Sequence, residues 1–467
     1  MKKAIAIILS TVLLMGAFSG CTKAGSNDLG KTENGKTKIS IRWAPENQPD
    51  IAKMLDARAA KFMEENPNIE IVPDQWQYSP DSFLTKASSN QLPTLYGVYL
   101  TEPQKIITAG YAADLTPYMD KYNYTNSINP EIKKIISKDG KIYGIPTQSE
   151  SYAMGLMINM NLMKEAGEIN EDGSPKIPQT YEELALTAQR IKQKTGKAGF
   201  VLPTMNNCGG WHFMNIAWSY GTEFLKQENG KWKAIFNSDE CVKALQYVKD
   251  LKWKYDVLPS NAFIDLAEIQ KLFATDQAAM FMGAPPQNEL VMLYKMNKDN
   301  IAVGRLPAGD KGRYALAGGM AYMISPTATD EQIDACFKWA KLSGTTPDLN
   351  DETIKSFETF AKNSFDKNYM MGVNSFNVWN NEEWLNKRKE IYDKYKNIDL
   401  NMVKEYNEFK DVIVRSEEPV SCQELYKILD ACIQAVLTDK DADPKALIEK
   451  AAEDFQKNYL DNRHYNR

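Results

Sequence analysis

From residue 39 to residue 110 the spacing of apolar side chains switches repeatedly between two periods, and this constrains the fold more than any single motif. Ile39, Ile41 and Trp43 recur at every second position, as in a strand. Ile51, Met54, Leu55, Ala59 and Phe62 then recur at the spacing of one helix face. That helix is predicted to stop at Asn66-Pro67, because a residue before proline avoids the helical region. Ile69 and Ile71 open a second strand and Leu95 to Leu100 a third, followed by a short helical pattern through Ile106 and Ile107 to Gly110. Strand, helix, strand in this order builds an α/β sheet, whose ligand sites gather at the strand ends.

The alternation continues. Lys141 to Pro146 and Tyr152 to Ile158 read as extended segments around the polar loop Thr147-Gln148-Ser149-Glu150-Ser151. Thr180 and Glu183 have the spacing of a capping box, opening a helix to about Lys194 that Gly196 stops. A helix over Ser238 to Tyr255, a strand over Ala278 to Gly283 and another over Gly319 to Ser325 follow. The last third is mostly helical, with a Ser421/Glu424 capping box and a final helix opened by Asp443-Pro444. A body of about 430 residues exceeds what one core supports, so two domains of about 200 residues each are expected.

The N-terminus is of another kind. Lys2 and Lys3, an apolar run from Ala4 to Phe18, and Ser19-Gly20-Cys21 have the pattern of a secretory signal over residues 1–20. Its small-small-Cys site makes Cys21 the lipidated, palmitate-type anchor at the start of the mature chain, on the extracellular face of the membrane. The run is shorter than the roughly 20 apolar residues a membrane span requires. Residues 21–37 are rich in Gly, Asn and Ser and lack Val, Ile, Phe and Trp, so they are expected to form a flexible tether, roughly 50 Å long when extended.

Composition excludes several functions. The formal net charge is −5, and −7 once Lys2 and Lys3 leave with the signal, without the positive stripe that nucleic-acid binding needs. Cys208, Cys241, Cys336, Cys422 and Cys432 remain after Cys21. They show no zinc spacing, and Cys422 and Cys432 stand about 15 Å apart on one helix. Buried thiols are the expected role for most of them. His212 and His464 are the only histidines and are not at metal-ligand spacing. Asp439, Asp441 and Asp443 imitate a calcium loop, but Pro444 stands at its glycine position and Lys450 at its closing acid. No phosphate-binding glycine loop is present, so no cofactor or metal is expected.

Several segments, in order, carry a family resemblance: Gly140-Lys141-Ile142-Tyr143-Gly144-Ile145-Pro146, Met157 to Met163, Ala166-Gly167, Pro178-Gln179-Thr180-Tyr181-Glu182-Glu183-Leu184, Phe273 to Met280 running to Gly283, and Gly318-Gly319 before a strand. In these the body resembles the extracellular solute-binding proteins of ATP-driven sugar importers, the maltose-binding-protein-like family. The resemblance implies an α/β two-lobed clamp with a hinge and an interlobe ligand cleft. On it, lobe 1 comprises 38–147 and about 318–370, and lobe 2 about 148–317 and 371–467. It also implies a monomer that binds a carbohydrate, performs no catalysis, and meets the permease subunits of an ABC importer.

A sugar offers C–H faces to aromatic planes and hydroxyls to acids and amides. On the family pattern the candidates in the first lobe are Trp43 and Glu46, Trp76 and Tyr78, and Tyr99, Thr101 and Glu102, each set following a strand. Trp43 could equally be the last inward residue of its strand. Glu150 stands four residues after Pro146, where the family places a cleft glutamate. Trp211, preceded by Asn206, Asn207 and two glycines, falls where a stacking aromatic is expected. Trp379 and Tyr426 are candidates from the last third, and Trp384 reads as core. Where many relatives carry a stacking tryptophan after Gly283, this chain has Ala284-Pro285-Pro286-Gln287. Adjacent acids at Glu382-Glu383 and Glu417-Glu418 raise the alternative of a secreted glycoside hydrolase, but they read as solvent-facing charge. A sugar-sensing receptor partner is a further alternative to import.

Overall fold

The computed structural model describes residues 30–32, 34–44, 49–147 and 150–461. The signal, Cys21 and Glu46 lie outside them. The tether, expected to run unstructured to Thr37, already gives way to structure at Gly30. Lys38 N–H donates to Gly30 O, and Thr32 and Lys36 close a turn around Gly35, whose φ of 76° suits glycine.

The first sheet has the strand order 69–74, 37–42, 95–99, 320–324 and 144–146. Thr37–Arg42 pairs in parallel with Ile69–Asp74, Ile39 facing Ile71 and Ile41 facing Pro73, so the period-two residues of both strands share one buried face. Pro49–Glu65 is the helix between them, and it ends just before Asn66-Pro67. Met320–Ile324 joins this sheet antiparallel to both Leu95–Tyr99 and Gly144–Pro146. A second sheet centres on Gly155–Asn159, flanked antiparallel by Met280–Gly283 and Ile301–Gly304. All three are buried along their length, which explains why they read as apolar runs with no alternation.

A third sheet joins the two halves, in the order 376–377, 150–153, 313–318 and 412–416. The chain leaves the first sheet after Pro146 to enter this one at Glu150, and returns from Arg313–Gly318 through Gly319 to Met320–Ile324. Buried residues fall into a first-lobe core containing Ile39, Phe62, Leu95 and Phe337 and a second-lobe core containing Leu156, Phe213, Leu245 and Ile433. Val378, Trp379, Trp384 and Ile391 pack in the first core, whereas Val403 and Tyr406 pack with Met157 and Phe281. The last third therefore contributes to lobe 1 as far as Ile391, beyond the expected limit at residue 370. A ring at Trp384, edge-on to Phe357 at 4.8 Å, holds that helix there.

Helix starts follow the local chemistry in most places. Thr180 Oγ1 accepts from Glu183 N–H, and Tyr181–Thr195 ends at Gly196 in the left-handed region. Ser238 caps Asp239–Trp253, and Asp443 caps Pro444–Phe455. The Ser421/Glu424 capping box does not form: Ser421 takes a left-handed conformation with no side-chain cap, and Glu424 turns to a cation instead. The cysteines Cys241, Cys336, Cys422 and Cys432 are buried and unbridged. Among the described residues no helix is long and apolar enough to cross a membrane.

Candidate functional site

The second-lobe wall of the interlobe cleft begins with two helices in backbone contact. Helix Cys208–Tyr220 lies so close to Cys422–Thr438 that a Cβ at Gly210 would meet Tyr426 O at 2.4 Å, and one at Gly209 would meet Asp430 Oδ1 at 2.6 Å. The glycine pair is what permits this approach. Asp430 fastens the junction: its carboxylate accepts from Asn207 N–H at 2.8 Å and Gly210 N–H at 2.7 Å, satisfying donors that a helix start leaves open. Burial raises this carboxyl's pKa while the N–H groups pull it down. Asn206 and Asn207 take left-handed conformations that asparagine tolerates, with φ of 59° and 66°.

This start sets Trp211 half-exposed at the cleft. Its ring stands edge-on to His212 at 4.8 Å, and His212 is held between Cys208 O and Met282 O, each at 2.8 Å. Burial lowers the His212 pKa to about 4. Tyr426 is buried beneath the wall and donates to Glu417 Oε1 at 3.0 Å. Glu417 borders the same cavity, and burial pushes its carboxyl up to about 8. Burial likewise raises Glu418 to about 7, against the pull of Arg415 at 3.8 Å. The expectation that this acid pair faces solvent is corrected for Glu418, which is buried, while Glu417 is half-buried at the cavity edge. Glu382 and Glu383 are exposed.

The first-lobe wall is layered. Tyr99, at the end of its strand, is 42% exposed and meets Tyr78 edge-on at 5.4 Å. Tyr78 in turn donates its hydroxyl to Glu102 Oε2 at 2.6 Å. Glu102 is fully buried and also accepts from Lys105 Nζ at 3.0 Å and Thr101 Oγ1 at 3.3 Å. Trp76 is half-buried, edge-on to Tyr78 at 6.1 Å, with its Nε1–H on Ser82 Oγ.

The walls touch at the first turn of Cys422–Thr438. Gln423 Nε2 donates to Thr101 Oγ1 at 3.4 Å, its Oε1 accepts from Asn207 Nδ2 at 3.2 Å, and Glu424 lies 3.7 Å from Lys105. Around this contact lie two cavities of about 270 and 730 Å³ that share Tyr99, Asn206, Asn207 and Gln423. The smaller also reaches Trp211, Glu417, Tyr426 and Gly319. Gly319 borders a third cavity of about 410 Å³ as well, between Leu100, Pro146, Thr147 and Met320 on one side and Ala284 to Glu289 on the other. The Ala284-Pro285-Pro286-Gln287 segment thus faces the cleft with proline rings in place of an aromatic.

Of the predicted residues, Tyr99, Asn206, Asn207, Trp211 and Tyr426 are brought together around one cavity. Tyr78, Thr101 and Glu102 lie one layer behind Tyr99. Trp43 and Trp379 are corrected to core positions: Trp43, 4% exposed, stacks on Trp339 at 6.4 Å, and Trp379 packs edge-on against Tyr124 at 5.3 Å. Glu150 pairs through its backbone with Asn377 at the lobe crossing. Sequence reasoning missed Gln423, Glu417, Glu424 and Asp430. The signal available was the helix start at residue 422, but only tertiary packing reveals that its first turn faces the other lobe.

Comparison with known proteins follows the same lines. The family described as bacterial extracellular solute-binding protein matches residues 57–368. The arabinooligosaccharide-binding protein of Bacillus subtilis (strain 168) is 25% identical over 349 residues, 73% of this chain and 72% of the relative. The polygalacturonan/rhamnogalacturonan-binding protein YtcQ of the same organism is 22% identical over 297 residues, 60% of this chain and 57% of the relative. An ABC transporter solute-binding protein from Thermotoga lettingae, solved with alpha-D-tagatose, superposes with a TM-score of 0.68 at 20% identity over 90% of this chain and 99% of its own.

Proposed function

The chain belongs to the bacterial extracellular solute-binding proteins, and from that premise we propose that it captures a sugar, of oligosaccharide size, between its lobes and delivers it to an ABC-type importer. The observation that carries this reading is the cavity bordered by exposed Tyr99 from one lobe and by Trp211, Asn207 and Gln423 from the other. Two aromatic rings and two amides supply what a neutral sugar ring and its hydroxyls require. A ligand that touches both walls favours the closed form by the contacts it lacks in the open one.

Binding without hydrolysis is favoured by the state of the acids. A glycosidase needs two available carboxyl groups. Among the described acids bordering the two cavities around Gln423, Asp430 is occupied by helix N–H groups and Glu424 faces Lys105, which leaves Glu417. The names of relatives cover a neutral glycan and an acidic one, and both are consistent with capture outside the cell.

The Lys2-Lys3, Ala4 to Phe18 and Ser19-Gly20-Cys21 pattern supports export and lipid anchoring through Cys21. Cys21→Ser should move the protein from the membrane fraction to the medium. Unchanged membrane recovery would refute the anchor.

The capture reading is tested by thermal shift against mono- and oligosaccharides. A ligand at one hundred times its Kd adds about 2.7 kcal/mol of stability. At least one sugar should raise the melting temperature, remain intact, and lose its effect in Trp211→Ala. If no sugar shifts the transition, or if the sugar is cleaved, the reading fails.

A further inference from the structure

We infer that the cleft selects sugars free of carboxylate groups and rejects uronates, with Glu417 reading a sugar hydroxyl; this rests on the sugar reading above. Glu289, Glu417, Glu424 and Asp430 border the three interlobe cavities, and among the described residues the one cation bordering them is the exposed Lys427. No arginine lines any of the three, so the planar fork that pairs a sugar carboxylate with two hydrogen bonds is missing from the described lining. Lys105 is a buried cation behind the first-lobe wall, but its ammonium already lies 3.0 Å from Glu102 and 3.7 Å from Glu424. A uronate entering here would lose its water with no cation in the described lining but the exposed Lys427 to replace it.

Glu417 is placed to read a hydroxyl. Its carboxyl accepts from the Tyr426 hydroxyl at 3.0 Å while bordering the cavity shared with Trp211 and Tyr99. The groups that bear on it are Tyr426 and Cys422 on its neighbouring helix and Glu102 from the opposite wall, none of them a cation. Burial, with Glu102 adding to it, holds the carboxyl up to about 8. At neutral pH it therefore keeps its proton and offers one donor and one acceptor, which match a hydroxyl. A carboxylate brought beside it would receive one hydrogen bond from the acid but no opposite charge to replace the water it loses.

The test equilibrates the chain with a mixture of oligosaccharides of matched length, released from arabinan, xylan, mannan and polygalacturonan, and identifies the retained species by mass spectrometry. Neutral species should be retained at least tenfold over uronates. Retention of uronates within tenfold of the neutral species overturns the inference. Retention of no species overturns the sugar reading itself, a distinguishable result. For the retained neutral sugar, wild-type affinity should fall as pH rises through 8, and Glu417→Gln, which cannot ionise, should lose that slope. A wild-type profile flat from pH 6 to pH 9, or a slope that persists in Glu417→Gln, overturns the role of Glu417.

Discussion

Gly210→Ala is expected to disable the second-lobe wall, and its cost can be worked from the contact itself. The added methyl would stand 2.4 Å from Tyr426 O, 2.5 Å from its Cα and 2.8 Å from its carbonyl carbon. Ordinary carbon contacts begin at about 3.5 Å, so the two helices must separate by roughly 1 Å. All three atoms met are backbone, so no rotamer change can relieve the clash. Overpacking of this kind costs about 1–3 kcal/mol. The same movement stretches the 2.7 Å bond from Gly210 N–H to Asp430, and a hydrogen bond to a charged group contributes about 1.5–3 kcal/mol. A loss of about 4 kcal/mol follows, a large part of the 5–15 kcal/mol by which folded proteins are stable. Urea unfolding followed by circular dichroism measures it, with Gly196→Ala as the contrast. At Gly196 nothing lies within 4 Å and φ is +69°, so that variant bears about 1–2 kcal/mol of backbone strain and no clash. Equal losses in the two variants, or a loss below 1 kcal/mol at Gly210, would refute the close-packed junction.

Lys105→Met should cost about 3–5 kcal/mol, since it strands Glu102 in a fully buried site, and should also weaken the lobe contact through Glu424. A thermal midpoint equal to wild type would contradict a buried ion pair. Glu417 and Glu418 have folded pKa values raised to about 8 and about 7, above the usual carboxylate value. The folded state therefore holds more protons than the unfolded state, so their contribution is full near pH 4 and is lost as pH rises through 7 to 8. Unfolding free energy should be lower at pH 8.5 than at pH 5.5, with a smaller difference in Glu418→Gln. A larger difference in the variant would contradict the burial of Glu418.

The α/β traffic was legible because both signals are local: Ile39, Ile41 and Trp43 alternate, and Pro67 and Gly196 stop helices at their own positions. The cleft aromatics were legible only in part. Trp43 and Tyr99 each lie at a strand end, yet Trp339 from a distant helix covers the first and nothing covers the second to the same degree. That difference is made by residues some three hundred positions away, which no local pattern encodes. Gln423 was invisible for the same reason. A helix start could be read at residue 422, but not that Thr101 stands opposite it. The return of the chain to the first lobe through Trp379 and Trp384 likewise depends on long-range packing against Tyr124 and Phe357.

Capture between the lobes is tested most directly by a crystal structure of the chain grown with the sugar it retains. A sugar ring should lie in the cavity between Tyr99 and Trp211, with hydrogen bonds from Asn207 or Gln423 and contacts to both lobes. A sugar seated on one lobe alone, away from these residues, would contradict it.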